Sequence, residues 1–322
     1  LGRRGAKGSE KRLWVGNHIP SMSKSEKPNI LFLFSDQHSA RALGSYGNPE
    51  VQTPHLDQLA SQGVQLNRAY AQSPICTPSR MCFQSGQYCQ NHGYYGLMGK
   101  PPDKLPSLFT LTREAGYLNG MIGKIHTPRD WLGKDCHGVE GINPIETEKL
   151  LPGDSFPSEE GECAYDRYLS GKGLLDLRDD KSLTGPDGKK HNQAVDACPS
   201  PLNPQDTVEG WAAQRSIRFM ERAREVGKPF CLWMSVPRPH QVYSPAREFW
   251  DLYATEKLTL PPNANDSLEN RSVPSRETAR MFQEETDWRI FEPKDWESSR
   301  RRSLHGYYGC VSQVDYAVGE VL

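Results

Sequence analysis

The chain has no apolar run near the roughly 20 residues that cross a bilayer, so no membrane span is expected. It also lacks a charge surplus: 39 Lys and Arg stand against 40 Asp and Glu, a formal net charge of −1 over 322 residues. That balance removes the electrostatic footprint of a nucleic-acid binder, and no nucleic-acid partner is expected. Cysteine is thinly spread. Eight thiols, at 76, 82, 89, 136, 163, 198, 231 and 310, are too few for a disulfide scaffold, and no two form a C-x-x-C pair. This leaves no zinc-knuckle or thioredoxin-like spacing, and most of them read as small buried hydrophobes. No internal repeat is found. The opening charges of Leu1-Gly2-Arg3-Arg4-Gly5-Ala6-Lys7 have no apolar stretch behind them, so no export signal is read. Met22 reads as a nearer start. The compartment is left open: cytoplasmic as written, periplasmic or secreted if the N-terminus differs.

What is present is a rhythm of strand and helix. Residues 1–27, rich in Lys, Arg, Gly and Ser, read as a disordered or over-extended lead-in. The apolar run Asn29–Phe34 reads as a strand buried on both faces and stops abruptly at Ser35-Asp36-Gln37-His38. Thr53-Pro54 opens a short helix that Gly63 closes, and Val64–Tyr70 alternates like a strand. In Cys76-Thr77-Pro78-Ser79-Arg80, Pro78 suits the first turn of a helix, which puts Cys76 at its N-terminus and Arg80 on the same face. A helix from Ser107 to Ala115 precedes the strand Tyr117–Ile122, which ends in Gly123-Lys124-Ile125-His126. Asp206 is read as the cap of a long helix carrying Trp211, Ile217, Met220 and Ala223. The strand Phe230–Val236 delivers Pro237-Arg238-Pro239-His240, and a last helix carries Val311, Val314, Val318 and Val321. Residues 127–205 and 261–302 read as loop excursions on the substrate side, the second with short helical pieces. The fold class expected is α/β, with a mostly parallel sheet sandwiched between helices.

In a parallel sheet the carboxyl ends of the strands share one edge, where open α/β folds bind ligands. Asp36 with Gln37, Lys124 with His126, and His240 all fall at such ends, and Cys76 with Arg80 at a helix start. A carboxylate and an amide oxygen suit a hard cation such as Ca²⁺ or Mg²⁺, and Lys, Arg and His suit a tetrahedral oxyanion. Taken singly, each has a plainer role: Cys76 as a buried thiol, Asp36 as a helix cap, Lys124 as a solvated lysine, and either histidine as a hydrogen-bonded structural residue.

Jointly, from Pro28 onward, the chain resembles the type I sulfatases, the formylglycine-dependent members of the alkaline phosphatase superfamily. Cys76-Thr77-Pro78-Ser79-Arg80 agrees with their C-x-P-x-R maturation signature, in the context of Asp36-Gln37, Gly123-Lys124-x-His126 and Pro239-His240. The resemblance implies a sulfuric ester hydrolase in which Cys76 is oxidised to Cα-formylglycine by a formylglycine-generating or anaerobic maturation enzyme. One hydroxyl of the hydrated aldehyde attacks sulfur, and the other then loses its proton as sulfate is expelled. It further implies Asp36, Gln37 and the oxidised Cys76 as ligands of Ca²⁺ or Mg²⁺. Arg80 would hold the hydrate, Lys124 and His240 would bind sulfate, and His126 would orient or deprotonate the diol. Many relatives carry Asp where this chain has Gln37. The family's further Asp-His/Asn-Gly ligands and second sulfate-binding lysine have no counterpart up to Leu322, so the expected unit is a catalytic domain, 28–322, truncated before the last core strand and C-terminal subdomain. A phosphonate or phosphate ester hydrolase and a non-catalytic binder of sulfated glycans stay open as alternatives. Pro239–Tyr243 and Arg247–Tyr253 look more like bacterial and iduronate-sulfatase-like members acting on sulfated sugars than like steroid sulfatases.

Overall fold

The computed structural model describes residues 27–97, 104–128, 131, 135–142, 163–178, 197–284 and 296–322. All of the expected lead-in but Lys27 lies outside them, as do 143–162 and 179–196 of the first excursion and 285–295 of the second. The core is a four-stranded parallel sheet of β1 (Ile30–Asp36), β2 (Leu118–Gly123), β3 (Gly138–Gly141) and β4 (Phe230–Pro239), in the order β1-β4-β2-β3. β4 therefore lies between the two strands whose ends carry Asp36 and Lys124.

Side chains alternate across β4 as the pleat requires. Leu232, Met234 and Val236 join a core with Trp211, Phe219, Val314 and Val318, while Cys231 and Trp233 join a second core with Met81, Phe109 and Met121. The sheet is thus covered on both faces, which is why β1 and β4 read as continuous apolar runs. The first layer comes from the helices Val208–Glu225 and Trp296–Val321, with the short α1 (Pro54–Gln62) packing Leu56 against the same core, and the second from α2 (Cys76–Ser85) and Leu108–Glu114. Trp211 and Trp131 are core residues, 1% and 5% exposed.

Four local expectations need correction. Val64–Tyr70 is not a strand: it finds no sheet neighbour, and Val64 and Tyr70 are 86% and 77% exposed. The first excursion holds sheet and helix as well as loop. β3 pairs with Gly120–Gly123, and Ala164–Gly171 is helical; a strand of four residues with glycine at both ends carries too few apolar side chains to be read. Thr207, not Asp206, caps the long helix, its side chain accepting from the Gly210 N–H. Asp206 instead accepts from the Tyr168 hydroxyl at 2.8 Å and Lys172 Nζ at 2.6 Å. The second excursion holds a helical piece as expected, Val273–Glu284, but the last helix starts inside it, at Trp296, to run 26 residues.

Candidate active site

The register between strands assembles the site. Phe34 and Gly123 both pair with Ser235, so β1, β4 and β2 end at nearly one level. Beyond Ser35 the register shifts, with Asp36 opposite Pro239, and this brings the His240 N–H to 3.1 Å from the Asp36 carbonyl. Gly123 has φ +96°, and a Cβ there would sit 1.9 Å from the Ser235 carbonyl oxygen. Only glycine fits this close approach. It places the Lys124 N–H 2.7 Å from that same oxygen and sends the Lys124 side chain toward β1.

Asp36 is the electrostatic centre. Its Oδ2 takes Lys124 Nζ at 2.7 Å and Arg80 Nη2 at 3.1 Å. Burial pushes this carboxyl up, but the two cations outweigh that and hold it below the ordinary carboxylate value. Arg80 comes from α2 (Cys76–Ser85), where it is 1% exposed. Its Nη1 donates to the Lys124 carbonyl at 2.8 Å and to Ser235 Oγ at 2.7 Å, and the guanidinium lies 5.0 Å from the Phe34 ring centroid. One planar fork thus ties three strand ends to one helix.

Cys76 is the first residue of α2, half-buried, with Sγ 3.4 Å from His126 Nδ1. The Cys76-to-Arg80 spacing does what its helical reading requires, one residue marking the helix start and the other the buried end of the same face. His126 is held far below its usual value, at about 4, by burial and then by the charges of Lys124 and Arg80, with His240 adding to them and Asp36 opposing. At neutral pH its ring is therefore uncharged, and all the candidate charges act on it. The His240 Nδ1 faces the Gln241 carbonyl at 2.7 Å. A carbonyl only accepts, so Nδ1 carries the proton, and Nε2 can donate to an oxyanion only when the ring is an imidazolium.

Gln37 is exposed, and its backbone, at φ 57°, lies in the left-handed region, as does that of His126 at φ 45°. For non-glycine residues this costs about 1–3 kcal/mol and persists where surroundings impose it. Here the Tyr307 hydroxyl donates to the Gln37 carbonyl at 2.8 Å and accepts from the Ser39 N–H at 2.9 Å. Ser235, Phe34 and Tyr307 are supports that sequence reasoning missed. Ser235, a hydroxyl inside the apolar run Phe230–Val236, was the one readable signal among them.

For a hard cation, both ion pairs of Asp36 fall on Oδ2, so its Oδ1 and the Gln37 amide oxygen are the donors to weigh. These are oxygens of the right class, and they fit a cation as part of a set, since Ca²⁺ takes about six to eight.

Known proteins resemble this chain in sequence and in fold. Aligned to mouse iduronate 2-sulfatase, the chain is 27% identical over 319 residues, covering 93% of this chain and 51% of the relative. To rat steryl-sulfatase it is 32% identical over 332 residues, covering 92% and 52%. The chain therefore spans about half the length of these relatives. Its fold superposes on the crystal structure of a phosphonate monoester hydrolase of Agrobacterium radiobacter with a TM-score of 0.67, at 22% identity, over 92% of this chain and 58% of the other. A family model described as Sulfatase matches residues 28–322, which takes in all of the strand ends and the whole of α2, and the chain belongs to the sulfatase family.

Proposed function

We propose that this chain is the catalytic half of a sulfuric ester hydrolase that cleaves the sulfate monoester of a carbohydrate or small alcohol, with Cys76 the precursor of its nucleophile. The reading rests on one observation above all: the Cys76 sulfur meets His126 Nδ1 at 3.4 Å at the edge where Lys124, Arg80 and His240 gather. Family membership supports it. The relatives' names point to different esters, iduronate and steryl, so the proposal is anchored on the sulfate group and not on the alcohol.

Oxidised to formylglycine and hydrated, residue 76 would supply an oxygen nucleophile where the thiol now stands. Asp36 Oδ1, the Gln37 amide oxygen and the oxidised residue 76 would hold Ca²⁺ or Mg²⁺, which supplies Lewis acidity toward sulfate oxygens. The protein groups divide the remaining work. Lys124 and His240 bind sulfate oxygens and spread their charge. Arg80, which donates to the Lys124 carbonyl, Ser235 Oγ and Asp36 Oδ2, fixes Asp36 and Lys124 in place and would hold the hydrate formed on residue 76. His126, uncharged at neutral pH, accepts a proton from the group on residue 76.

The test is mass spectrometry of the Cys76 peptide after co-expression with a maturation enzyme, followed by turnover of an aryl sulfate and a phosphonate monoester. Conversion to formylglycine lowers the peptide mass by about 18 Da, and sulfate turnover should exceed phosphonate turnover. An unconverted thiol, or a clear preference for the phosphonate, would overturn the proposal.

A further inference from the structure

A second chemically distinct cluster lies at the far end of α2. Cys82, on the last turn of α2, and Cys89 and His92, which open and close the single turn α3 (Cys89–His92), bring their ligand atoms within 4.8 Å of one another. The chain reverses between the two helices at Gly86, whose φ of +67° ends α2. Cys82 Sγ lies 3.5 Å from Cys89 Sγ and 3.3 Å from His92 Nε2. Cys82 and His92 are buried, at 4% and 2% exposure, while Cys89 is half-buried. None of the three belongs to the proposed catalytic set, and the spacing C-x₆-C-x₂-H falls outside the C-x-x-C pattern by which such sites are usually read.

We infer that Cys82, Cys89 and His92 form a binding site for a soft d¹⁰ cation of the Zn²⁺ class, bracing the turn between α2 and α3. A tetrahedral zinc with the usual Zn–S and Zn–N bonds separates its ligand atoms by about 3.5–3.8 Å, and Cys82 Sγ lies 3.5 and 3.3 Å from the other two ligand atoms. The set needs only a small expansion to admit the ion. Two thiolates and an imidazole also select softer ions over the Ca²⁺ or Mg²⁺ proposed at Asp36. Without a cation, burial and the adjacent Cys89 push the Cys82 thiol up to about 11. A cation between the sulfurs reverses that effect, so uptake releases the two thiol protons. His92 is the weakest ligand. The Tyr94 N–H donates to its Nδ1 at 3.1 Å, which puts the ring proton on Nε2, facing Cys82. Coordination through Nε2 moves that proton to Nδ1 and opens the Tyr94 contact. Half-buried Cys89 offers the route of entry, and the fourth position is left to water.

The experiment uses the reduced, chelator-treated chain carrying Cys76→Ser, so that the half-buried thiol at the start of α2 cannot contribute. It is titrated with Co²⁺ and read by thiolate-to-cobalt charge-transfer absorbance, with Zn²⁺ as competitor and elemental analysis of the zinc-loaded protein. One equivalent per chain with that band is expected. Cys89→Ser should weaken binding more than about 100-fold, beyond what loss of an outer-shell partner costs, and His92→Ala less than Cys89→Ser. Circular dichroism confirms that each variant folds. Absence of the band in the Cys76→Ser chain, its persistence in a folded Cys89→Ser variant, or a Cys82–Cys89 disulfide mapped in freshly purified protein would each overturn the assignment.

Discussion

Replacing Arg80 with lysine keeps the charge and removes the fork, so it isolates what the planar geometry contributes. Arg80 donates to the Lys124 carbonyl, Ser235 Oγ and Asp36 Oδ2 while only 1% exposed. A lysine ammonium, on a shorter stem, keeps at most the Asp36 contact. Hydrogen bonds from a charged donor contribute about 1.5–3 kcal/mol each, so two lost bonds give an upper figure of about 3–6 kcal/mol. Part is recovered, because the Ser235 hydroxyl can rotate to another partner. The Lys124 carbonyl cannot follow it, since the adjacent Lys124 N–H is fixed on the Ser235 carbonyl at 2.7 Å. The expected cost is therefore about 2–4 kcal/mol, in the range for disrupting a buried ionic network. Guanidinium unfolding of parent and Arg80→Lys at pH 7 measures it, provided the slope with denaturant is unchanged. A double-mutant cycle with Ser235→Ala should give a coupling above about 0.5 kcal/mol. A loss below about 1 kcal/mol, with no coupling, would mean that the fork does not tie the strand ends together.

Gly123→Ala should destabilise by about 2–5 kcal/mol, the sum of roughly 1–2 for the left-handed backbone and 1–3 for overpacking against the Ser235 carbonyl; a melting temperature within error of the parent's would refute this. With a matured protein, Lys124→Ala and His240→Ala should each lower kcat/KM on an aryl sulfate by about 10²–10³, the usual effect of removing one charge-stabilising donor, and equal rates would exclude them from sulfate binding. Chelation should abolish turnover and Ca²⁺ or Mg²⁺ restore it, whereas full activity in chelator would dismiss Asp36 and Gln37 as ligands. His305 supplies the pH test. Burial lowers its value below 6.5, and its ring is held by Thr255 Oγ1 at 2.6 Å and the Trp250 carbonyl at 2.8 Å. The fold holds it neutral, so on acidification the unfolded chain takes up a proton first. Stability is full above pH 6.5 and falls, by at most about 1.4 kcal/mol per pH unit, until the folded ring also titrates. Proton uptake on unfolding near pH 6 that His305→Gln leaves unchanged would refute the assignment.

The sequence made β1, β4 and the start of α2 legible because each is marked by a sharp chemical boundary: apolar runs breaking into Asp36-Gln37 and Pro239-His240, and Pro78 marking a first turn. Those boundaries are where the candidate site lies, so its residues could be read before its geometry. What stayed hidden depends on partners distant in the chain. β3 is a strand only because Gly138–Gly141 lies beside Gly120–Gly123, and Val64–Tyr70 has the alternation without the neighbour. The supports of the site were hidden for the same reason. The Tyr307 hydroxyl reaches Gln37 across 270 positions of sequence, and Ser235 meets Arg80 across 155. Local pattern identifies groups that do chemistry, while the groups that aim them are chosen by register. It follows that the Gly123 approach to Ser235, which sets that register between β2 and β4, bears on the site as directly as the residues carrying its charge. Moving it displaces Lys124, through its N–H, and Arg80, through Ser235 Oγ, at once.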